Sequence, residues 1–148
     1  MALGGPELKV ERVTALCRAL PLCRVRCCVH CYTYVEALLP LLRREPPHEL
    51  LTINALVVDR LEGGKQAVLN LASALFVYKG MERLHYYEDE DAQRTGGAFV
   101  DALVDAAISA GIKNMCFRMP LSQPALPALT RLLQSPGFEE LHIWNRSL

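Results

Sequence analysis

A short unit, in which a glycine is followed by an alternating strand, recurs in this sequence and constrains its fold more than any other feature. The unit appears as GMERLHYY (80–87), GIKNMCF (111–117) and GFEELHIWN (137–145). Glycine tolerates the left-handed conformation in which many helices end, and apolar residues at every second position are typical of a strand with one buried face. The sequence therefore predicts a helix end followed by a strand at each of these places.

Two upstream segments, LCRVRCC (22–28) and HELLTIN (48–54), fit the same alignment and extend the series to five strands. Each strand is preceded by apolar residues at helical spacing, so each is predicted to follow a helix. The helix before residue 51 contains Pro40, which is predicted to kink or end it. When the five segments are aligned, the equivalent positions are Val25, Leu51, Leu84, Met115 and Leu141.

The alternation of helix and strand predicts an α/β fold with a parallel sheet. A doubly wound sheet is covered by helices on both faces, and its strands are nearly continuous apolar runs. The strands here alternate apolar and polar residues, which favours one covered face. We therefore predict one domain, residues 1–148, with about four to five strand–helix units in a single-sided parallel sheet of about five strands. The alternative is a compact doubly wound α/β domain.

This pattern resembles the leucine-rich repeat family, in particular its ribonuclease-inhibitor-like type, from about residue 10 to the end of the chain. The family's strand signature is L-x-x-L-x-L. Its matches are Phe138, Leu141, Ile143 and Leu148; Ile112, Met115 and Phe117; Met81, Leu84 and Tyr86; Leu22, Val25 and Cys27; and Leu51, Ile53, Leu56 and Val58. At the positions that correspond to the family's ladder asparagine, this chain has His30, Val57, Asp89, Pro120 and Arg146. These departures suit a degenerate member or a fragment, and the resemblance implies a protein-interaction scaffold that binds through its concave strand face.

Residues between the buried strand positions are expected to project to the open face of the sheet. Trp, Tyr and Arg on such a face are the residue types that dominate binding hot spots. The opposing interpretation is that Trp144 and Tyr87 pack on each other or cover the end of the sheet. The predicted binding residues are Arg24, Arg26, Arg83, His85, Tyr87, Arg118, His142 and Trp144.

Two clusters raise the question of metal binding or catalysis. His85, Cys116 and His142 are predicted to form a row, which suggests a zinc site or an activated thiol, but a flat row provides poor tetrahedral geometry. The segment CRVRCCVHC (23–31) contains a C-x-x-C pair without the second ligand pair that zinc motifs usually have. Free cysteine behaves as a small apolar residue, so we interpret these thiols as core filling. We predict no catalytic residue, no metal and no cofactor.

Charge and composition limit the classes of partner. Lys plus Arg and Asp plus Glu each number 16, and this neutral balance argues against binding to nucleic acid or to a membrane surface. The N-terminal residues lack the pattern of a secretory leader, so a cytoplasmic location with reduced cysteines is expected.

The expected function is that of a non-catalytic protein–protein interaction module, and further stacking through an exposed C-terminal repeat is also expected. The alternative is a small α/β enzyme-like domain with a site at the carboxyl ends of the strands, where Asp89, Arg118 and Asn145 are expected to gather.

Overall fold

Strands and helices alternate along the described part of the chain. The computed structural model describes residues 8–32, 34–88, 97–119 and 125–144. The sequence positions 89, 120, 145, 146 and 148 singled out above therefore lie outside the described residues. In chain order the elements are β1 (Leu8–Lys9), α1 (Val10–Ala19), β2 (Val25–Tyr32), α2 (Leu39–Leu42), β3 (Leu51–Asp59), α3 (Gly64–Phe76), β4 (Arg83–Tyr87), α4 (Gly97–Ala110), β5 (Asn114–Arg118), α5 (Leu126–Leu133) and β6 (Glu140–Trp144).

The strands form one parallel sheet in sequence order, from β1 to β6. The predicted α/β class with a parallel sheet is confirmed, and the two-residue strand β1 brings the described sheet to six strands instead of about five. A doubly wound sheet reverses its strand order at a switch point. The described strands have no such reversal, so they do not form a doubly wound sheet.

Alternate strand residues form the main apolar core together with the helices. One row of this core contains Leu56, Leu84 and Met115, and the next contains Val58, Tyr86 and Phe117. The same cluster includes buried residues from all five described helices. Val57 and Cys116 occupy the intervening strand positions and are only 5% and 7% exposed, but they do not belong to this cluster. The two faces of the sheet therefore have different surroundings, and we call the face that carries Val57 and Cys116 the outer face.

The predicted strand alignment is correct in two parts and wrong where those parts join. Val25 pairs with Leu51, and Leu84, Met115 and Leu141 lie side by side. However, Leu84 pairs with Leu56 and not with Leu51. The register of β2 against β3 shifts between Cys27 and Cys28, which is the signature of an extra residue in β3.

This irregularity has a physical reason in the spacing of buried residues along β3. Ile53 and Leu56 both face the core although they are three positions apart, which a regular strand with a period of two does not allow. Because of the extra residue, only the second half of β3, from Ala55 to Asp59, pairs with β4.

The helix predicted before β3 is shorter than its apolar pattern suggests. Its apolar residues begin at Val35, but α2 covers only Leu39–Leu42, with Pro40 in its first turn. Proline lacks a backbone N–H and fits the first turn of a helix, whereas in a helix interior it removes a hydrogen bond. The helical pattern is thus interrupted at Pro40 as predicted, but Pro40 lies at the start of α2 and is not the predicted kink or end of a longer helix. Val35 and Leu38 are buried in the core from the preceding turn.

The glycines that open the repeated unit adopt the predicted left-handed conformation. The φ angles of Gly80 and Gly111 are 98° and 71°. A Cβ atom at Gly80 would lie 2.9 Å from Cγ2 of Thr52, whereas a Cβ atom at Gly111 would meet nothing within 4 Å. Gly80 is therefore required both by its backbone conformation and by its close packing against β3.

We expect Gly80→Ala to lower the free energy of unfolding by about 2–4 kcal/mol, since it combines left-handed strain with overpacking. The matched variant Gly111→Ala introduces only the strain, and we expect a loss of about 1–2 kcal/mol. Urea denaturation followed by circular dichroism measures both values. Equal losses in the two variants would show that the contact with Thr52 has no energetic consequence.

Candidate functional site

Three rows of side chains cross the outer face, because the parallel register places equivalent residues of neighbouring strands side by side. The first row is Cys28, Ala55, Arg83, Asn114 and Glu140. The second row is His30, Val57, His85, Cys116 and His142. The third row is Tyr32, Asp59, Tyr87, Arg118 and Trp144.

Six of the eight predicted binding residues lie in these rows. They are Arg83, His85, Tyr87, Arg118, His142 and Trp144. The remaining two arginines do not align with them, although equal offsets from Val25 and Leu84 predict Arg24 beside Arg83 and Arg26 beside His85. Arg24 precedes β2, and Arg26 pairs with Thr52 ahead of the register shift. The guanidinium of Arg26 instead lies 3.3 Å from Oε1 of Glu82, and both side chains are exposed.

A groove of about 360 Å³ lies on the outer face across β4, β5 and β6, and we call it the β4–β6 groove. Two residues from each strand line it, one from the second row and one from the third. They are His85, Tyr87, Cys116, Arg118, His142 and Trp144. Five of these six are residues that the sequence predicted for binding.

Arg118 lies between two aromatic rings in this groove. Its Cζ atom is 5.8 Å from the centre of the Tyr87 ring and 5.7 Å from that of the Trp144 ring. A guanidinium within about 6 Å of a ring centre is attracted by the π electrons. Tyr87 and Trp144 are two strands apart with Arg118 between them, so the interpretation that they pack on each other is wrong.

Hydrogen bonds orient the side chains around this arginine. The hydroxyl of Tyr87 lies 3.0 Å from Nδ1 of His85, and the two ring centres are 6.0 Å apart. On β6, Nε2 of His142 is within hydrogen-bonding distance of Oε1 of Glu140. Trp144 is 63% exposed, so a large aromatic surface remains available to a ligand.

The charged groups of the outer face divide into paired acids and unpaired arginines. Oδ2 of Asp59 lies 3.7 Å from Nε2 of His30, and its Oδ1 lies 4.0 Å from Nε of Arg60. Glu140 contacts His142. Within the described parts of the chain, neither Arg83 nor Arg118 contacts a carboxylate.

Cys116 has the environment of a buried thiol. Burial raises its pKa, and the nearby positive charge of Arg118 opposes that rise only in part. The thiol is therefore protonated at neutral pH, whereas a nucleophilic cysteine requires a lowered pKa. Among the described residues there is no group of three or more His, Cys, Asp or Glu side chains placed to hold a metal ion.

Sequence reasoning missed the β2 and β3 contributions to the rows. Tyr32 and Asp59 occupy the third row, where the uniform alignment had placed Cys28 and Asn54. The detectable signal was the interval of three residues between the apolar positions Ile53 and Leu56, which breaks the period of two.

The last described strand and helix present apolar side chains to solvent. Ile143 on β6 and Leu126 and Leu133 on α5 are all exposed. In a sheet of this order β6 pairs only with β5 among the described strands. Stacking of a further unit on this edge stays a prediction.

The chain was compared with protein-family models, with curated proteins and with solved structures, and none of the three comparisons finds a match. In the described residues, no helix has both the length and the apolar character to cross a membrane. The geometry and charge of the β4–β6 groove are therefore the evidence that bears on function.

Proposed function

We propose that this chain is a non-catalytic interaction module that binds a partner protein through the outer face of β4, β5 and β6. The observation that carries the proposal is Arg118 between Tyr87 and the exposed Trp144 in an accessible groove. Arginine, tyrosine and tryptophan are the residues most enriched at binding hot spots, because each combines a large contact area with polar groups.

The proposal includes a leucine-rich-repeat-like architecture, with the helices stacked on one face of the sheet. The sequential strand order supports it, as does a core that unites all five described helices with alternate strand residues. Consecutive helices also contact each other. The hydroxyl of Ser109 on α4 donates to the carbonyl of Phe76 on α3 at 2.7 Å, and Arg131 on α5 lies 2.9 Å from Asp105 on α4. Such stacking leaves the outer face free for a partner.

The location we propose remains the cytoplasm. The six cysteines form no disulfide, and four of them are buried. Free thiols suit a reducing compartment, where disulfides are rare.

The enzyme-like alternative has one observation in its favour. The third row consists of the last residue of each strand from β2 to β6, which is the edge where α/β enzymes bind their ligands. Such sites form where the strand order reverses, however, and the described sheet has no reversal. The protonated thiol of Cys116 also favours binding over nucleophilic chemistry.

The test is a pull-down that compares the wild type with Tyr87→Ala/Trp144→Ala. We expect partner recovery to fall more than tenfold, because truncation of a hot-spot residue commonly weakens binding by 10-fold or more. The matched control is Tyr34→Ala/Phe76→Ala, which removes two exposed aromatic side chains outside the β4–β6 groove. Circular dichroism verifies that each variant is folded. If the folded Tyr87→Ala/Trp144→Ala protein retains every partner, the proposed binding face is wrong.

A further inference from the structure

We propose that the partner segment bound in the β4–β6 groove is acidic, and that Arg118 binds one of its carboxylates while Arg83 binds a second. This inference rests on the proposed function and names the chemistry of the partner. It follows from three features of the outer face: the environment of Arg118, the distribution of charge, and the distance between the two arginines.

The environment of Arg118 prepares it for a planar anion. The centres of the Tyr87 and Trp144 rings, on the two neighbouring strands, lie 5.8 and 5.7 Å from Cζ of Arg118, and both rings attract its positive charge. No described carboxylate occupies those N–H donors. A guanidinium presents parallel donors that match the two oxygens of a carboxylate, and such bidentate pairs are stronger than neutral hydrogen bonds.

The charge of the outer face complements an acidic segment. Its two described row carboxylates already have positive or titratable neighbours, Asp59 near His30 and Arg60, and Glu140 near His142. Among the described residues, Arg83 and Arg118 contact no carboxylate, so these two side chains present positive charge along β4 and β5. Like-charged partners are disfavoured at such a surface and opposite charges are attracted.

The position of Arg83 sets the spacing of the second carboxylate. Arg83 is the first residue of β4 and is exposed, while Arg118 lies beside Tyr87, the last residue of that strand. Arg83 in the first row and Tyr87 in the third row are four residues apart along β4, which corresponds to about 13 Å. An extended segment with acidic residues about four positions apart spans this distance.

The groove favours a carboxylate over a phosphate. Phosphorylated motifs are usually recognised by clusters of arginines that share the higher charge of the phosphate. Among its described lining residues the groove has one arginine, together with two aromatic side chains and two histidines. One bidentate contact with the guanidinium of Arg118 suits a singly charged carboxylate.

The experiment is a selection of random seven-residue peptides, displayed on phage, against the wild-type protein. Selected peptides without tryptophan are synthesised and titrated, and binding is followed by the fluorescence of Trp144, the only tryptophan of the chain. We expect enrichment of Asp and Glu, weaker binding in high salt, and affinity at least tenfold lower for Arg118→Gln. Arg118→Lys keeps the charge without the planar donors and is expected to restore only part of the affinity.

The matched control is Arg12→Gln, which removes an exposed arginine of α1 far from the groove residues in the fold and is expected to leave affinity unchanged. The proposal is overturned if no acidic enrichment occurs, if no peptide is selected, or if Arg118→Gln binds the selected peptides as well as the wild type. It is also overturned if phosphoserine in place of the glutamates strengthens binding more than tenfold, since the site then prefers phosphate.

The pull-down separates this inference from the proposed function. If Arg118→Gln retains partners that Tyr87→Ala/Trp144→Ala loses, the binding face stands and the acidic chemistry fails. If the double aromatic variant retains every partner as well, the proposed function itself fails.

Discussion

Replacing Tyr78 with alanine is expected to lower the free energy of unfolding by about 3–5 kcal/mol, because the change leaves a cavity and removes a buried hydrogen bond. Tyr78 is 1% exposed, and its hydroxyl accepts a 2.7 Å hydrogen bond from the backbone N–H of Ile53. Ile53 precedes the part of β3 that pairs with β4. The hydroxyl of Tyr78 thus supplies the hydrogen-bond acceptor that β4 does not provide for the N–H of Ile53.

Arg44 adds to the structural role of Tyr78. Its Cζ atom lies 4.4 Å from the centre of the Tyr78 ring, and it donates hydrogen bonds to the carbonyls of Leu51 and Lys79 at 3.0 and 2.8 Å. The ring therefore supports a side chain that joins the start of β3 to the turn before β4. Loss of the ring is expected to loosen both segments.

Tyr78→Phe separates the hydrogen bond from the packing. We expect a loss of about 1–3 kcal/mol, since the N–H of Ile53 remains buried without its acceptor. The control is Tyr34→Phe at an exposed position, for which a change within about 0.5 kcal/mol is expected. Urea denaturation at neutral pH measures all three variants. If Tyr78→Phe is as stable as Tyr34→Phe, the hydroxyl does not have the proposed role.

Stability is expected to fall by about 2–4 kcal/mol as the pH rises from about 9 to about 11. Burial raises the pKa of Cys27 and that of Cys31 from 9.0 to about 11. Well below pH 9 both thiols are protonated in the folded and in the unfolded chain, so their full contribution to stability is present. Between these values the unfolded chain loses protons that the folded chain retains, which favours unfolding. Each pH unit of difference corresponds to about 1.4 kcal/mol per group, and partial solvation of the site reduces the total.

Urea denaturation at about pH 8 and about pH 10.5, with a reducing agent present, measures this effect. Cys27→Ala/Cys31→Ala is expected to lose most of the alkaline decrease, whatever its stability at pH 8. A smaller decrease should remain, because burial also raises the pKa values of Cys17, Tyr78 and Cys116. Cys23→Ala removes an exposed thiol and is expected to behave as the wild type. An unchanged alkaline decrease in the double variant would contradict the prediction.

Local sequence pattern was sufficient for the elements of the fold and for most of the groove. The period of two in ERLHYY, KNMCFR and EELHIW predicted β4, β5 and β6 and their mutual register, and the structure confirms that register. Because none of these three strands contains an extra residue, residues at the same offset in the aligned segments occupy neighbouring positions in the sheet. The residues of the β4–β6 groove could be selected from the sequence for that reason.

The sequence by itself determined the alternation of helix and strand, the left-handed glycines and the interruption of the helical pattern at Pro40, because these depend on residues near one another in the chain. The tertiary structure decided three other features: the register shift between β2 and β3, the alignment of Asp59 with Tyr87, and the proximity of Asp59 to His30. Each depends on which strands lie side by side and on distances between residues far apart in sequence. The residue pattern within a single segment does not contain those distances. The distances nevertheless decide which charges are available to a partner.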